Sequence, residues 1–180
     1  MGVKPHTGPS GRLQAVDWGG VRWARSLPHP APLERALAGL SRATDHSDAW
    51  VVVGLVGAVL DRDRRGRWLD AGSRIALVEL TSRMLKRALP RTRPQLEGLP
   101  PLASTPSPMS FPSSHTAAAV AAVAAFDGLV PSGVLRGLAA VTAFSRLYLG
   151  VHFPSDVVAG AGLGRLLGGP RAGKRERARA

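Results

Sequence analysis

The chain has 180 residues, enough for one domain with a real core and too few for two of ordinary size. Its formal charge of +12 and pI near 11.7 would suit nucleic acid or an anionic membrane, yet aromatic residues make up only 5%. No zinc, helix-turn-helix or RNA-binding signature accompanies the charge, which argues against nucleic acid, and the lack of cysteine excludes disulfides, thiol catalysis and Cys-ligated metals.

Residues 1–31, with His6-Thr7-Gly8-Pro9-Ser10-Gly11 and Leu27-Pro28-His29-Pro30-Ala31, read as a flexible basic N-terminal tail. They hold no apolar stretch of signal-peptide length, so no cleavable signal peptide is expected. Residues 32–44 form an amphipathic helix with Pro32 near its start. Residues 48–60 are almost unbroken Ala, Trp, Val, Leu and Gly, closed by the charged run Asp61-Arg62-Asp63-Arg64-Arg65-Gly66-Arg67. In the next helix, 68–89, Glu79, Ser82, Arg83 and Lys86 recur at spacings of three and four and make one polar stripe, with Ala71, Ile75, Val78, Leu85 and Leu89 opposite.

A Pro-rich connector, 90–112, leads to three more apolar helices at 115–130, 134–149 and 155–168, all rich in Ala and Gly. Small residues let helix backbones approach closely, as in membrane bundles. Residues 170–180, with Lys174, Arg175, Arg177 and Arg179, read as a basic C-terminal tail. Mean hydropathy is only +0.02, because the polar ends dilute an apolar middle. The expected fold is therefore all-α, a membrane-embedded bundle of about five to six helices over residues 32–169, set against a soluble bundle with an Ala-rich core. Trp50 and Trp68 are expected as interfacial aromatics beside the basic loop 61–67. If that loop is cytoplasmic, alternation puts 90–114 and 150–154 together on the outer side.

Three short blocks fall in those outer segments. Pro94 forces Arg93 towards extended geometry, so the helix carrying Lys86 ends first and the two cations can converge on one anion. Pro112-Ser113-Ser114-His115-Thr116 has the form of a helix start, with a Ser N-cap and free N–H groups suited to phosphate. Ser145-Arg146 precedes His152, and Asp156 follows it by four residues at another helix start after Pro154. A carboxylate so placed can accept the imidazole Nδ1–H, fix the tautomer and leave Nε2 to act. Read singly, each block is a helix cap or a solvated cation; their coincidence on one side points to a phosphate site.

The combined pattern K-x6-R-P, P-S-x-H and S-R-x5-H-x3-D, spread over about residues 33–168, resembles the type 2 phosphatidic acid phosphatase and vanadium haloperoxidase superfamily. The resemblance implies a helical bundle and a metal-independent phosphatase with no cofactor. It makes His152 the nucleophile that forms a phosphohistidine, Asp156 the group that orients it, and His115 the general acid for the leaving oxygen. Lys86, Arg93, Ser113 and Arg146 would hold the phosphoryl oxygens. Ser114 stands where the family usually has Gly; it suits a backbone of positive φ less well, while its hydroxyl can add a donor to the phosphate. The order of segments, including 40–47 ahead of the first strongly apolar helix, looks like small actinobacterial members. The implied partners are a membrane and a lipid phosphate, with the site extracytoplasmic. A polyprenyl-type lipid ranks first and phosphatidate second; a vanadate-dependent haloperoxidase is the alternative from another reaction class.

Overall fold

Prolines and charged turns cut the chain into seven α-helices among the described residues, which in this computed structural model are 9–43 and 48–169. They are α1 (Pro9–Ser26), α2 (Ala31–Ala43), α3 (Asp48–Leu60), α4 (Arg65–Ala88), α5 (Ser114–Ala125), α6 (Ser132–Tyr148) and α7 (Pro154–Gly168). The all-α expectation holds, and the six expected helices match α2 to α7 to within a few residues. The seventh is a correction: α1 occupies most of the stretch expected to be a flexible tail. Its Val21 and Ala24 are fully buried, and its Gly20 lies so close to Pro154 that a Cβ there would stand 2.4 Å from the proline ring. The expected C-terminal tail, and residues 44–47, lie outside the described residues.

Each boundary has a local cause. Asp61 stops α3 and caps the 3-10 turn Arg62–Arg64, its carboxylate accepting from the Arg64 N–H at 3.3 Å and from Trp68 Nε1 at 3.0 Å. Trp68 is thus a core residue, 8% exposed and seated where Gly57 leaves room, rather than an interfacial one. Helix α4 ends with Lys86 and Arg87 in its last turn, where cations meet the negative end of the helix dipole. Gly150, at φ +70°, turns the chain after α6 so that residues 151–153 double back to α7.

The helices that carry the site are locked by glycines. Gly160, Gly164 and Gly168 of α7 lie against Ser113, Ala117 and Ala121 at successive turns of α5, and a Cβ on Gly164 would stand 2.2 Å from the Ala117 carbonyl oxygen. Gly164→Val is therefore expected to lower the unfolding temperature, by an overpacking cost of about 1–3 kcal/mol or more. A wild-type melting curve for that variant would contradict the packing described.

Around this core the outer surface is apolar. Val52, Val56 and Val59 of α3, Leu80 and Met84 of α4, Val141 of α6 and Val158 of α7 are all exposed, while Glu79 and Ser82 of α4 are buried. Glu79 and Ser82 of the polar stripe thus face inward, while Arg83 of the same stripe is exposed. Among the described residues no helix is both long and apolar enough to cross a membrane.

Candidate active site

The connector after α4 brings the three blocks together by main-chain contacts. Lys86 Nζ donates to the Pro112 carbonyl at 2.7 Å, which ties the first block to the second. The Ser113 N–H donates to the Asp156 carbonyl at 3.0 Å, tying the second to the third. Arg93 closes the circuit: its Nη1 donates to the Val151 carbonyl at 2.7 Å and lies 3.1 Å from His152 Nε2. Lys86, Arg93, Ser114, His115, Arg146 and His152 all line one cavity of about 480 Å³, with Glu79 and Arg83 of α4 on its wall.

His152 is the most constrained of these groups. Its ring is 2% exposed, with Nε2 turned to Arg93 and Nδ1 3.5 Å from Asp156 Oδ2. Arg93 can only donate, so Nε2 presents its lone pair and the proton belongs on Nδ1, facing the carboxylate. The Nδ1 contact is long and must shorten to become a strong hydrogen bond, as catalytic contacts do when substrate closes a site. Burial lowers the His152 imidazole to about 3, Asp156 opposing and Arg93 adding to the effect, so the ring is neutral at neutral pH. Burial also lowers Arg93, to about 10, which still leaves it a cation there.

Asp156 is fully buried in the first turn of α7, where its Oδ2 accepts the Phe153 N–H at 2.9 Å. Arg146, at 1% exposure, donates from Nη1 to Ser41 Oγ at 2.8 Å and from Nη2 to Ser145 Oγ at 2.8 Å. His115 Nε2 stands 3.2 Å from the Ser41 carbonyl, so α2 closes the site on that side.

Two expectations about the second block change. Ser113 is the N-cap of α5, fully buried with its hydroxyl 3.0 Å from Thr116 Oγ1, and it does not line the cavity. It shapes the first turn instead of offering its hydroxyl to an anion. Ser114 is the first helical residue and lines the cavity, so this position needs no positive φ and a Cβ fits.

The sequence reading missed three residues. Ser41 carries no signal in the sequence beyond its place in an amphipathic helix. Arg91 donates to Asp156 Oδ1 at 2.8 Å and to Asp17 Oδ2 at 2.6 Å, and Asp17 comes from the unexpected helix α1. Arg91 was legible only as one more cation near Arg93; an acid alone in a basic segment was the one hint for Asp17.

Residues 67–171 match the family described as the PAP2 superfamily. The decaprenylphosphoryl-5-phosphoribose phosphatase of Mycobacterium tuberculosis is 35% identical over 144 residues, covering 78% of this chain and 81% of that protein. Its namesake in Mycolicibacterium smegmatis is 39% identical over 124 residues, covering 67% of each. Among solved structures, a transmembrane PAP2 type phosphatidylglycerolphosphate phosphatase from Bacillus subtilis superposes with a TM-score of 0.72 at 26% identity, over 87% of this chain and 82% of that one. LpxE from Aquifex aeolicus, at 23% identity and a TM-score of 0.69 over 84% of this chain and 92% of that one, is alike in fold.

Proposed function

The chain belongs to the PAP2 superfamily as one of its phosphatases, and on that premise we propose that it hydrolyses a polyprenyl-type lipid phosphate through a phosphohistidine at His152. The observation that carries this reading is the His152 imidazole, neutral and oriented, with Nε2 3.1 Å from Arg93 at a cavity lined by Lys86 and Arg146. Three fixed cations neutralise the phosphoryl oxygens, and positioning with charge neutralisation is most of what phosphoryl transfer requires. Nε2 attacks phosphorus as the ester P–O bond breaks, and His115 gives its proton to the leaving oxygen. Asp156 stabilises the charged ring that results. Water then attacks the phosphohistidine, with His115 taking the proton back, and inorganic phosphate leaves. Ser114 adds its hydroxyl and N–H at the first turn of α5, while Ser113 contributes by capping that turn.

The polyprenyl preference rests on the names of the mycobacterial relatives; phosphatidate or another glycerolipid phosphate is the second reading, favoured by the likeness to the Bacillus subtilis enzyme. The phosphatase relatives weigh against the vanadate-dependent haloperoxidase alternative.

A membrane seat is part of the proposal. From Arg65 to Lys86, α4 rises about 32 Å at 1.5 Å per residue. That is about the thickness of a bilayer's hydrocarbon core, ~30 Å. The cavity lies at one end of α4 and the basic turn Arg62–Arg64 at the other, where Arg67 Nη2 also donates to the Asp127 carbonyl of the α5–α6 turn. The exposed apolar faces of the shorter helices α3, α6 and α7 add apolar surface along part of that length. Basic residues favour the cytoplasmic side, which supports an extracytoplasmic cavity in a multi-pass arrangement.

Phosphate release in detergent, with EDTA present, tests the reading across decaprenylphosphoryl-5-phosphoribose, polyprenyl monophosphate, polyprenyl diphosphate and phosphatidate. Undiminished turnover in EDTA and a higher kcat/KM for the polyprenyl lipids are expected. A requirement for added metal would overturn the mechanism, and equal or better turnover of phosphatidate would overturn the substrate assignment.

A further inference from the structure

Helix α1 reaches the active site through one buried carboxylate. Asp17 is 1% exposed, and it accepts the Ser155 N–H at 2.9 Å, the Ser155 hydroxyl at 2.6 Å and Arg91 Nη2 at 2.6 Å. The same guanidinium turns Nη1 to Asp156 Oδ1 at 2.8 Å and to Ser155 Oγ at 2.7 Å, and it lies over the Phe153 ring at 4.1 Å from the ring centre. Two buried carboxylates therefore share one planar, five-donor cation. On its far side, Asp156 presents Oδ2 to the Phe153 N–H and towards His152 Nδ1.

This arrangement is more than a clamp for α1. Val21, Ala24 and the close contact of Gly20 with Pro154 already seat that helix by packing alone. The charged groups instead converge on Ser155 and Asp156, the residues that set where the carboxylate points. We propose that Asp17 and Arg91 are positioning residues for phosphoryl transfer, holding Asp156 by its Oδ1 so that Oδ2 faces the imidazole. Neither lines the cavity, so neither contacts the lipid phosphate. They act through Asp156, and the N-terminal helix is thereby a working part of the active site.

The proposal rests on His152 and Asp156 having the roles given above, so His152→Ala is run alongside. The variants are Asp17→Asn, Arg91→Gln, their double, and Arg91→Lys. Each is assayed with enzyme in saturating excess over a polyprenyl phosphate, where the single-turnover rate constant no longer depends on the fraction of molecules that are folded. A displaced catalytic partner costs on the order of 10- to 100-fold. Asp17→Asn and Arg91→Gln are each expected to slow the single-turnover step by about that factor while KM stays within about twofold. The double variant should be no slower than Arg91→Gln, since the two side chains act as one unit, and Arg91→Lys should recover part of the rate. Wild-type rate constants in both single variants, with His152→Ala inactive, would overturn the positioning role and leave the nucleophile standing. Turnover by His152→Ala would overturn the reading beneath it. Recovery of both single variants only as unfolded protein would assign the network to stability and overturn the proposal as well.

Discussion

Replacing His152 with alanine is expected to lower phosphate release at least about a thousandfold, with the protein still folded. The side chain sits in a loop between α6 and α7, and its backbone N–H donates to the Arg146 carbonyl whatever the side chain is. Its ring makes few contacts a folded bundle needs: among the described residues Nδ1 has no hydrogen-bond partner within the limits of good geometry, and Nε2 meets Arg93. Truncation therefore removes the proposed nucleophile and relieves a buried, desolvated imidazole. The melting temperature should hold or rise while activity disappears, a split that a structural role for His152 would not produce. The comparison is made on detergent-purified protein by phosphate release and thermal unfolding together.

Asp156→Asn is expected to cost nearly as much, roughly 10³- to 10⁴-fold in kcat, the scale on which a wrong imidazole tautomer is felt elsewhere. Both oxygens of Asp156 accept from groups that can only donate: Arg91 Nη1 at Oδ1 and the Phe153 N–H at Oδ2. An amide in its place must turn its NH2 towards one of those donors in either orientation. If the NH2 takes the Oδ2 side it also faces His152 Nδ1, which must then give up its proton to Nε2, and the nucleophilic lone pair is lost. If it takes the Oδ1 side, it repels Arg91 and unseats the Asp17 contacts behind it. Steady-state kinetics on the purified variant check this. A loss below tenfold would mean that Asp156 is a helix cap and little more.

Much of this architecture was legible in the chain because prolines do two jobs at once. Pro112 and Pro154 announce helix starts and also fix where His115 and Asp156 stand, while Pro90 and Pro94 end α4 just beyond Lys86. The inward polar stripe of Glu79, Ser82 and Lys86 followed from helical spacing alone. What escaped was structure that only tertiary contacts stabilise. Helix α1 is Gly-rich, basic and flanked by prolines, and its burial rests on Val21, Ala24 and the close fit of Gly20 to Pro154 rather than on any strong apolar face. Trp68 was misread because an aromatic beside a basic loop looks interfacial, whereas Gly57 in the facing helix makes a slot for it. Ser113 turns its cap hydroxyl into the helix, away from the cavity, a direction that its place in the motif does not announce, while Ser114 faces the cavity. Arg91 could not be picked from 24 basic residues without knowing that Asp17 lay beside it.

The central claim is a covalent bond between phosphorus and His152 Nε2. The most direct measurement is to mix the detergent-purified enzyme with a polyprenyl phosphate, quench within one turnover under alkaline conditions that preserve phosphohistidine, and map the phosphoryl group by mass spectrometry. A phosphoryl adduct on the peptide containing His152, formed in the presence of EDTA and absent from His152→Ala, is the predicted result. Turnover with no adduct at any histidine, or an adduct at His115 in its place, would contradict the account.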